Sequence, residues 1–166
     1  YDEDYKKWKN LPTAFWEKKA QNIHWTKKWD KVLDNNDPLS WSWFPGGELN
    51  TCYNCLDIHV ANGNGDKNAL IYDSPITDTK KTYTYNELLD KTTKIASALK
   101  KHGVNKGDRV LIYMPMIPEA VASMLACARI GAIHVVVFGG FAPNELATRI
   151  NDSKPKVIIA GSCGIE

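Results

Sequence analysis

Residues 108–159 alternate short apolar runs with stretches of helical hydrophobic spacing, and that alternation leaves few folds open. DRVLIYMPM carries an apolar run from Val110 to Met114, the length of a strand. IPEAVASMLACARIG follows, with Ala120, Val121, Met124, Leu125 and Ala128 at helical spacing. AIHVVVFGGF is β-branched and nearly continuous from Ile133 to Val137, which predicts a strand covered on both faces. In APNELATRINDSKP, Pro143 suits the first turn of a helix with Leu146, Ala147 and Ile150 on one side. KVIIAG is a further strand. The pattern predicts a three-layer α/β fold, a largely parallel sheet of at least three strands flanked by helices. Ligands in such sheets bind beyond the carboxyl ends of strands, where Phe138, Gly139 and Gly140 fall. The last strand lies so close to Glu166 that the sheet is expected to be the incomplete front of something longer.

A chain of 166 residues, 43% hydrophobic and 24% charged, can bury one sizeable core. No apolar run approaches the roughly 20 residues of a membrane helix, and no secretory leader is visible. The formal charge of +2 does not call for nucleic acid. Lysines crowd the chain before Val32, but Asp2, Glu3, Asp4, Glu17 and Asp30 offset them, and a solvated surface is the simpler reading. Cys127 sits inside an apolar helical pattern and reads as a small buried hydrophobe. Cys52 and Cys55 form a C-x-x-C with His59 four residues on. Zinc would need a second compact pair, and a redox dithiol would want to open a helix after a strand. Incidental packing is therefore favoured. The glycosylation pattern Asn151-Asp152-Ser153 is short enough to occur by chance.

All six tryptophans precede Asn50. With Phe15 and Phe44 they are too many large rings for a disordered tail, and they predict an aromatic wrap over residues 1–49. Short helices are expected from Thr13, as a cap, to Ala20 and from Lys27 to Leu33. After the Pro45-Gly46-Gly47 break, residues 49–60 read as a helix with Leu49, Cys52, Tyr53, Leu56 and His59 on one face. His59 reads as packed and hydrogen-bonded. ALIYDSPITDTKKTYTY predicts two antiparallel strands. Thr84 and Glu87 form a capping box for a helix that buries Leu88, Ile95 and Leu99 and ends at Gly103. The main domain is expected to occupy residues 50–166.

Phe138-Gly139-Gly140-Phe141 is the strongest ligand candidate. Glycine allows close approach to a ligand and positive φ, and amides after a strand can meet an anion. A plain tight turn competes with that reading, because the pattern is neither G-x-G-x-x-G nor a phosphate loop. His134 reads as a core or strand-end histidine. Ser162-Cys163-Gly164 lacks a nucleophile elbow and a base. Asp108 and Arg109 could pair beside the sheet, without specifying catalysis. The residues by themselves declare no reaction.

AFW at Ala14–Trp16, Ile23 with Trp25, and FPGGELNTCYNCLD at Phe44–Asp57 form a longer signature. It continues with YTYNEL at Tyr83–Leu88, the stretch Gly103–His134, and VVFGGFAPNELATRI at Val136–Ile150. Together they resemble the N-terminal part of short-chain acyl-CoA synthetases, the acetyl- and propionyl-CoA synthetase branch of the adenylate-forming enzymes. The final KPKVIIAGSCGIE is more similar to the propionyl side.

The resemblance implies a large domain of two α/β subdomains and a β subdomain, followed by a small mobile domain. Residues 50–166 would be part of the first subdomain, partnered by the remainder of the enzyme. It implies an AMP-forming ligase: ATP and magnesium convert acetate or propionate to an acyl-adenylate, and the CoA thiol attacks it. The partners implied are small molecules, not nucleic acid or membrane, in the cytoplasm or mitochondrial matrix. Phosphate loop, acyl pocket, magnesium ligands and catalytic lysine would lie beyond Glu166. No catalytic or metal residue is thus assigned here, and the segment alone is expected to be inactive and to hold no cofactor tightly. Phe138, Gly139 and Gly140 would form the wall for the adenine-nucleotide end of CoA. Two departures stand out. Glu166 falls where acetyl-CoA synthetases place a basic residue for the 3′-phosphate, and a carboxylate would repel it. Ile58 replaces a common arginine. The competing reading is a non-catalytic structural or protein-interaction module related to these enzymes.

Overall fold

The computed structural model describes residues 1–140 and 142–162. The chain falls into two units, Tyr1–Asn50 and Thr51–Glu166.

In the first unit, Asp2, Glu3 and Asp4 in the first turn and Lys7 and Lys9 in the last suit the dipole of a helix, Asp2–Asn10 (α1). The hydrophobic pattern does not announce it. Pro12 opens α2, Pro12–Ala20, so Leu11 rather than Thr13 holds the cap position. The helix expected over residues 27–33 does not form. Lys27 instead bridges Glu48, and Leu33–Asp34 (β1) pairs antiparallel with Ser42–Trp43 (β2). Aromatic packing outweighs the local pattern: ring centroids lie 4.9 Å apart for Trp25 and Trp29, 5.4 Å for Trp25 and Phe44, and 5.1 Å for Trp29 and Phe44. Trp25 Nε1 donates to the Ala20 carbonyl at 2.9 Å, and Asp30 N donates to that of Pro45 at 2.9 Å.

The second unit opens with a helical run over residues 51–64 that contains two π-helical segments, Tyr53–Asp57 and Val60–Asn64. It buries Cys52 and Leu56, whereas Leu49, expected on the same face, is exposed. Asn68–Ser74 (β3) and Thr79–Thr84 (β4) form the expected antiparallel pair. The capping box then starts Tyr85–Lys101 (α3): Glu87 N donates to Thr84 Oγ1 at 3.2 Å, and Thr84 N to Glu87 Oε2 at 2.8 Å. This helix buries Leu88, Thr92, Ala96 and Leu99, and Gly103 follows its end at φ 78°.

Arg109–Met114 (β5), Ile133–Phe138 (β6) and Val157–Ala160 (β7) form a parallel sheet in the order β6-β5-β7. Pro118–Ile130 (α4) and Pro143–Ser153 (α5) make the crossovers. The chain steps from β5 to β6, then back across β5 to β7, so right-handed crossovers put α4 and α5 on opposite faces. The sheet is therefore the middle of three layers.

Two burial expectations change. β6 is not covered on both faces: Ile133, Val136 and Phe138 are more than half exposed, because among the described residues β6 is a terminal strand paired only with β5. On α4, the expected stripe of Ala120, Val121, Met124, Leu125 and Ala128 is only half-buried. The deepest positions are Ala122, Ser123, Ala126 and Cys127. α4 packs against α3 as well as the sheet, and small side chains permit that close approach.

Candidate functional site

Val110 to Ile112 are fully buried in the central strand, which holds the ends of its neighbours in place. Met114 of β5 is registered against Phe138 of β6, so both strands end at one level. The chain then turns through Gly139 and Gly140. Neither glycine has positive φ, contrary to one reason offered for them. Their role here is steric. A Cβ on Gly139 would stand 2.8 Å from the Met114 carbonyl carbon and 2.9 Å from both Met114 O and Pro115 N. A Cβ on Gly140 would stand 2.7 Å from Cε1 of Phe138. The first glycine lets two strand ends meet backbone to backbone, and the second leaves room for the phenyl ring.

Beside this turn lies a cavity of about 620 Å³, within the size range of small-molecule sites. Its walls are mostly apolar, from Leu70 and Tyr72 of β3, Ile112 and Met114 of β5, and Val121 and Met124 of α4. Phe138 lines it, and the glycines shape the turn next to it. Arg149 lines the same cavity. Its Nη1 donates to Glu145 Oε2 at 2.8 Å and to the Glu145 carbonyl at 3.0 Å. Pattern reading missed Arg149 as a site residue. The available signal was its place one turn from Glu145 on the helix that follows the glycine turn. Phe141 and Glu166 lie outside the described residues, as do Cys163 and Gly164 of the Ser162-Cys163-Gly164 run.

The other candidates resolve into structural roles. His134 is exposed on β6 rather than in the core, and His59 packs tilted against Tyr85 with ring centroids 4.8 Å apart. Asp108 accepts from Asn105 N at 2.7 Å and Lys156 Nζ at 3.0 Å, which hold its carboxyl below the usual range. Arg109 donates to the Ser153 and Lys154 carbonyls, closing the end of α5. Burial pushes the Cys127 thiol up to about 11, as suits an inert packed cysteine. Among the described residues no group of three His, Cys, Asp or Glu side chains converges as metal ligands, and no helix is long and apolar enough to cross a membrane.

Residues 58–165 match the family described as AMP-binding enzyme, and residues 1–55 match the acetyl-coenzyme A synthetase N-terminus. The chain is 59% identical over 155 residues to acyl-CoA synthetase short-chain family member 3, mitochondrial, of Rattus norvegicus, covering 93% of this chain and 23% of that protein. It is 48% identical over 164 residues to acetyl-coenzyme A synthetase of Deinococcus radiodurans, covering 99% and 25% respectively. Acetoacetyl-CoA synthetase from Streptomyces lividans superposes with a TM-score of 0.83 at 27% identity, over 93% of this chain and 24% of that one. The chain thus spans about a quarter of the length of these relatives.

Proposed function

The chain belongs to the AMP-binding enzyme family, and we propose that it is the N-terminal segment of an ATP-dependent short-chain acyl-CoA ligase. The observation that carries this reading is the 59% identity to a short-chain acyl-CoA synthetase across nearly the whole chain. In this reading acetate or propionate reacts with ATP to give an acyl-adenylate and pyrophosphate, and CoA then releases AMP. Phosphate handling, magnesium binding and acyl selection belong to parts of the protein outside these 166 residues. Residues 1–49 are the aromatic extension, and residues 50–166 part of the first α/β subdomain. Mitochondrial and bacterial relatives together favour an intracellular protein.

The local contribution assigned to this segment is the CoA wall. Phe138 offers an apolar face to the adenine end, and Gly139 and Gly140 keep that face open. Arg149 stands on the same cavity wall, and its guanidinium could meet a phosphate there by exchanging its pairing with Glu145, since Glu166 cannot serve. The test is an assay of the whole protein with magnesium and CoA, expected to give acetate- or propionate-dependent AMP and pyrophosphate. A folded preparation that forms neither refutes the ligase reading. Acyl-adenylate formation by residues 1–166 alone would overturn the division of labour.

A further inference from the structure

We propose that Cys55 and Cys52 form a modification site: a low-molecular-weight disulfide thiolates Cys55, and Cys52 resolves the adduct into an intramolecular disulfide. The pair opens a helix, as the residue pattern predicts, although a loop rather than a strand precedes it. Helical backbone begins at Thr51, so Cys52 and Cys55 occupy its first turns, three residues apart. Their surroundings differ sharply. Cys55 is an exposed free thiol, and Cys52 is a fully buried one. Arg129 Nη1 stands 3.6 Å from Cys52 Sγ, and two 2.8 Å hydrogen bonds to Asp57 fix that guanidinium. A guanidinium against sulfur favours the thiolate. Burial outweighs it at rest and pushes the Cys52 thiol up. Cys52 is therefore protected until its neighbour has reacted, and the reagent meets Cys55 first.

On an α-helix, Cβ atoms three residues apart are roughly 5–6 Å apart; Cys55 lies in the wider turn of the π-helical segment Tyr53–Asp57, which sets the pair at least that far apart, and a disulfide needs about 3.5–4.5 Å. Closure thus asks the first turns to tighten by about 1 Å or more, and it draws Cys52 Sγ away from Arg129. The chemistry balances with glutathione disulfide as oxidant. The Cys55 thiolate attacks one glutathione sulfur, the glutathione disulfide bond breaks, and one glutathione thiolate leaves. Cys52 then releases its proton and attacks the Cys55 sulfur. The second glutathione leaves as a thiolate and takes up a proton. Two protein thiols are oxidised, and one glutathione disulfide is reduced to two thiols.

The experiment treats the folded whole protein with glutathione disulfide, quenches with acid and an alkylating agent, and digests after lysine and arginine. Cleavage at Lys31 and Lys67 leaves one peptide, residues 32–67, that holds Cys52 and Cys55 without Cys127 or Cys163. In the wild-type protein this peptide is expected to lose two hydrogen masses, reversibly with dithiothreitol. With Cys52→Ser it should instead carry one glutathione on Cys55, and with Cys55→Ser it should remain unmodified. A stable glutathione adduct in the wild type, modification of Cys52 in the Cys55→Ser protein, or no reaction in folded protein would each overturn the proposal. The wild-type peptide decides even if a serine variant folds poorly. The result is independent of whether the protein is a ligase.

Discussion

Arg129 and Asp57 form a two-pronged ion pair, Nη1 to Oδ2 and Nη2 to Oδ1, each at 2.8 Å. It fastens α4 to the π-helical segment Tyr53–Asp57, and both side chains are less than one-third exposed. The carboxylate raises the arginine further above its already high pKa, so the guanidinium stays charged throughout the accessible pH range.

A guanidinium fork matches a carboxylate in a way an ammonium cannot. Arg129→Lys and Asp57→Asn are each expected to lower stability by about 2 kcal/mol. Urea unfolding of the chain checks this through the transition midpoint. A midpoint unchanged in both variants would show that the pair contributes no net stability.

Lys91 Nζ donates to Glu119 Oε1 at 2.7 Å, linking α3 to α4. This hydrogen bond holds Glu119 below its ordinary 4.5 and Lys91 above its ordinary 10.5. The depressed carboxyl contributes stability present above 4.5 and lost as pH falls through its lower folded value. The raised ammonium contributes stability present below 10.5 and lost as pH rises through its higher folded value. The stability difference between wild type and Lys91→Met should therefore plateau between these limits and shrink outside both. Both groups are partly exposed, so the plateau should be small and diminish with salt. A difference independent of pH and salt would assign the effect to packing.

The capping box satisfies backbone donors at the start of α3. Thr84→Ala should cost about 1 kcal/mol and Thr84→Ser much less. Thermal unfolding of the two variants separates lost hydrogen bonding from lost methyl packing. Equal losses would point to the methyl group.

Adjacent glycines are expected to behave differently. Gly139→Ala drives a methyl into the Met114–Pro115 backbone and should destabilise by about 1–3 kcal/mol. The nearest atoms to a methyl at Gly140→Ala lie on the edge of the Phe138 side-chain ring, which yields more easily than backbone. In the whole protein Gly140→Ala should slow thioester formation with CoA more than pyrophosphate release without it. Equal loss of both steps, in a preparation of unchanged thermal stability, would make Gly140 a turn residue and remove the CoA wall from this site.

What the sequence by itself determined is the local order of elements. Short continuous apolar runs and a 3.6-residue hydrophobic period mark β5, α4, β6, α5 and β7, and Thr84 and Glu87 mark the start of α3, because those signals arise between residues a few positions apart. Tertiary structure decided which faces those elements bury. Ile133–Val137 has the composition of a covered strand, yet strand order leaves β6 at the edge. Residues 27–33 form no helix, and Trp25, Trp29 and Phe44 instead gather in one ring cluster. Phe138, Gly139 and Gly140 were legible as a candidate site from their place after a strand. Their neighbours Met114, Pro115 and Arg149 were not, and neither was the Asp57–Arg129 pair across 72 residues. Periodicity records backbone geometry one turn at a time. Contacts between distant segments depend on how the elements pack, and only the folded chain specifies that.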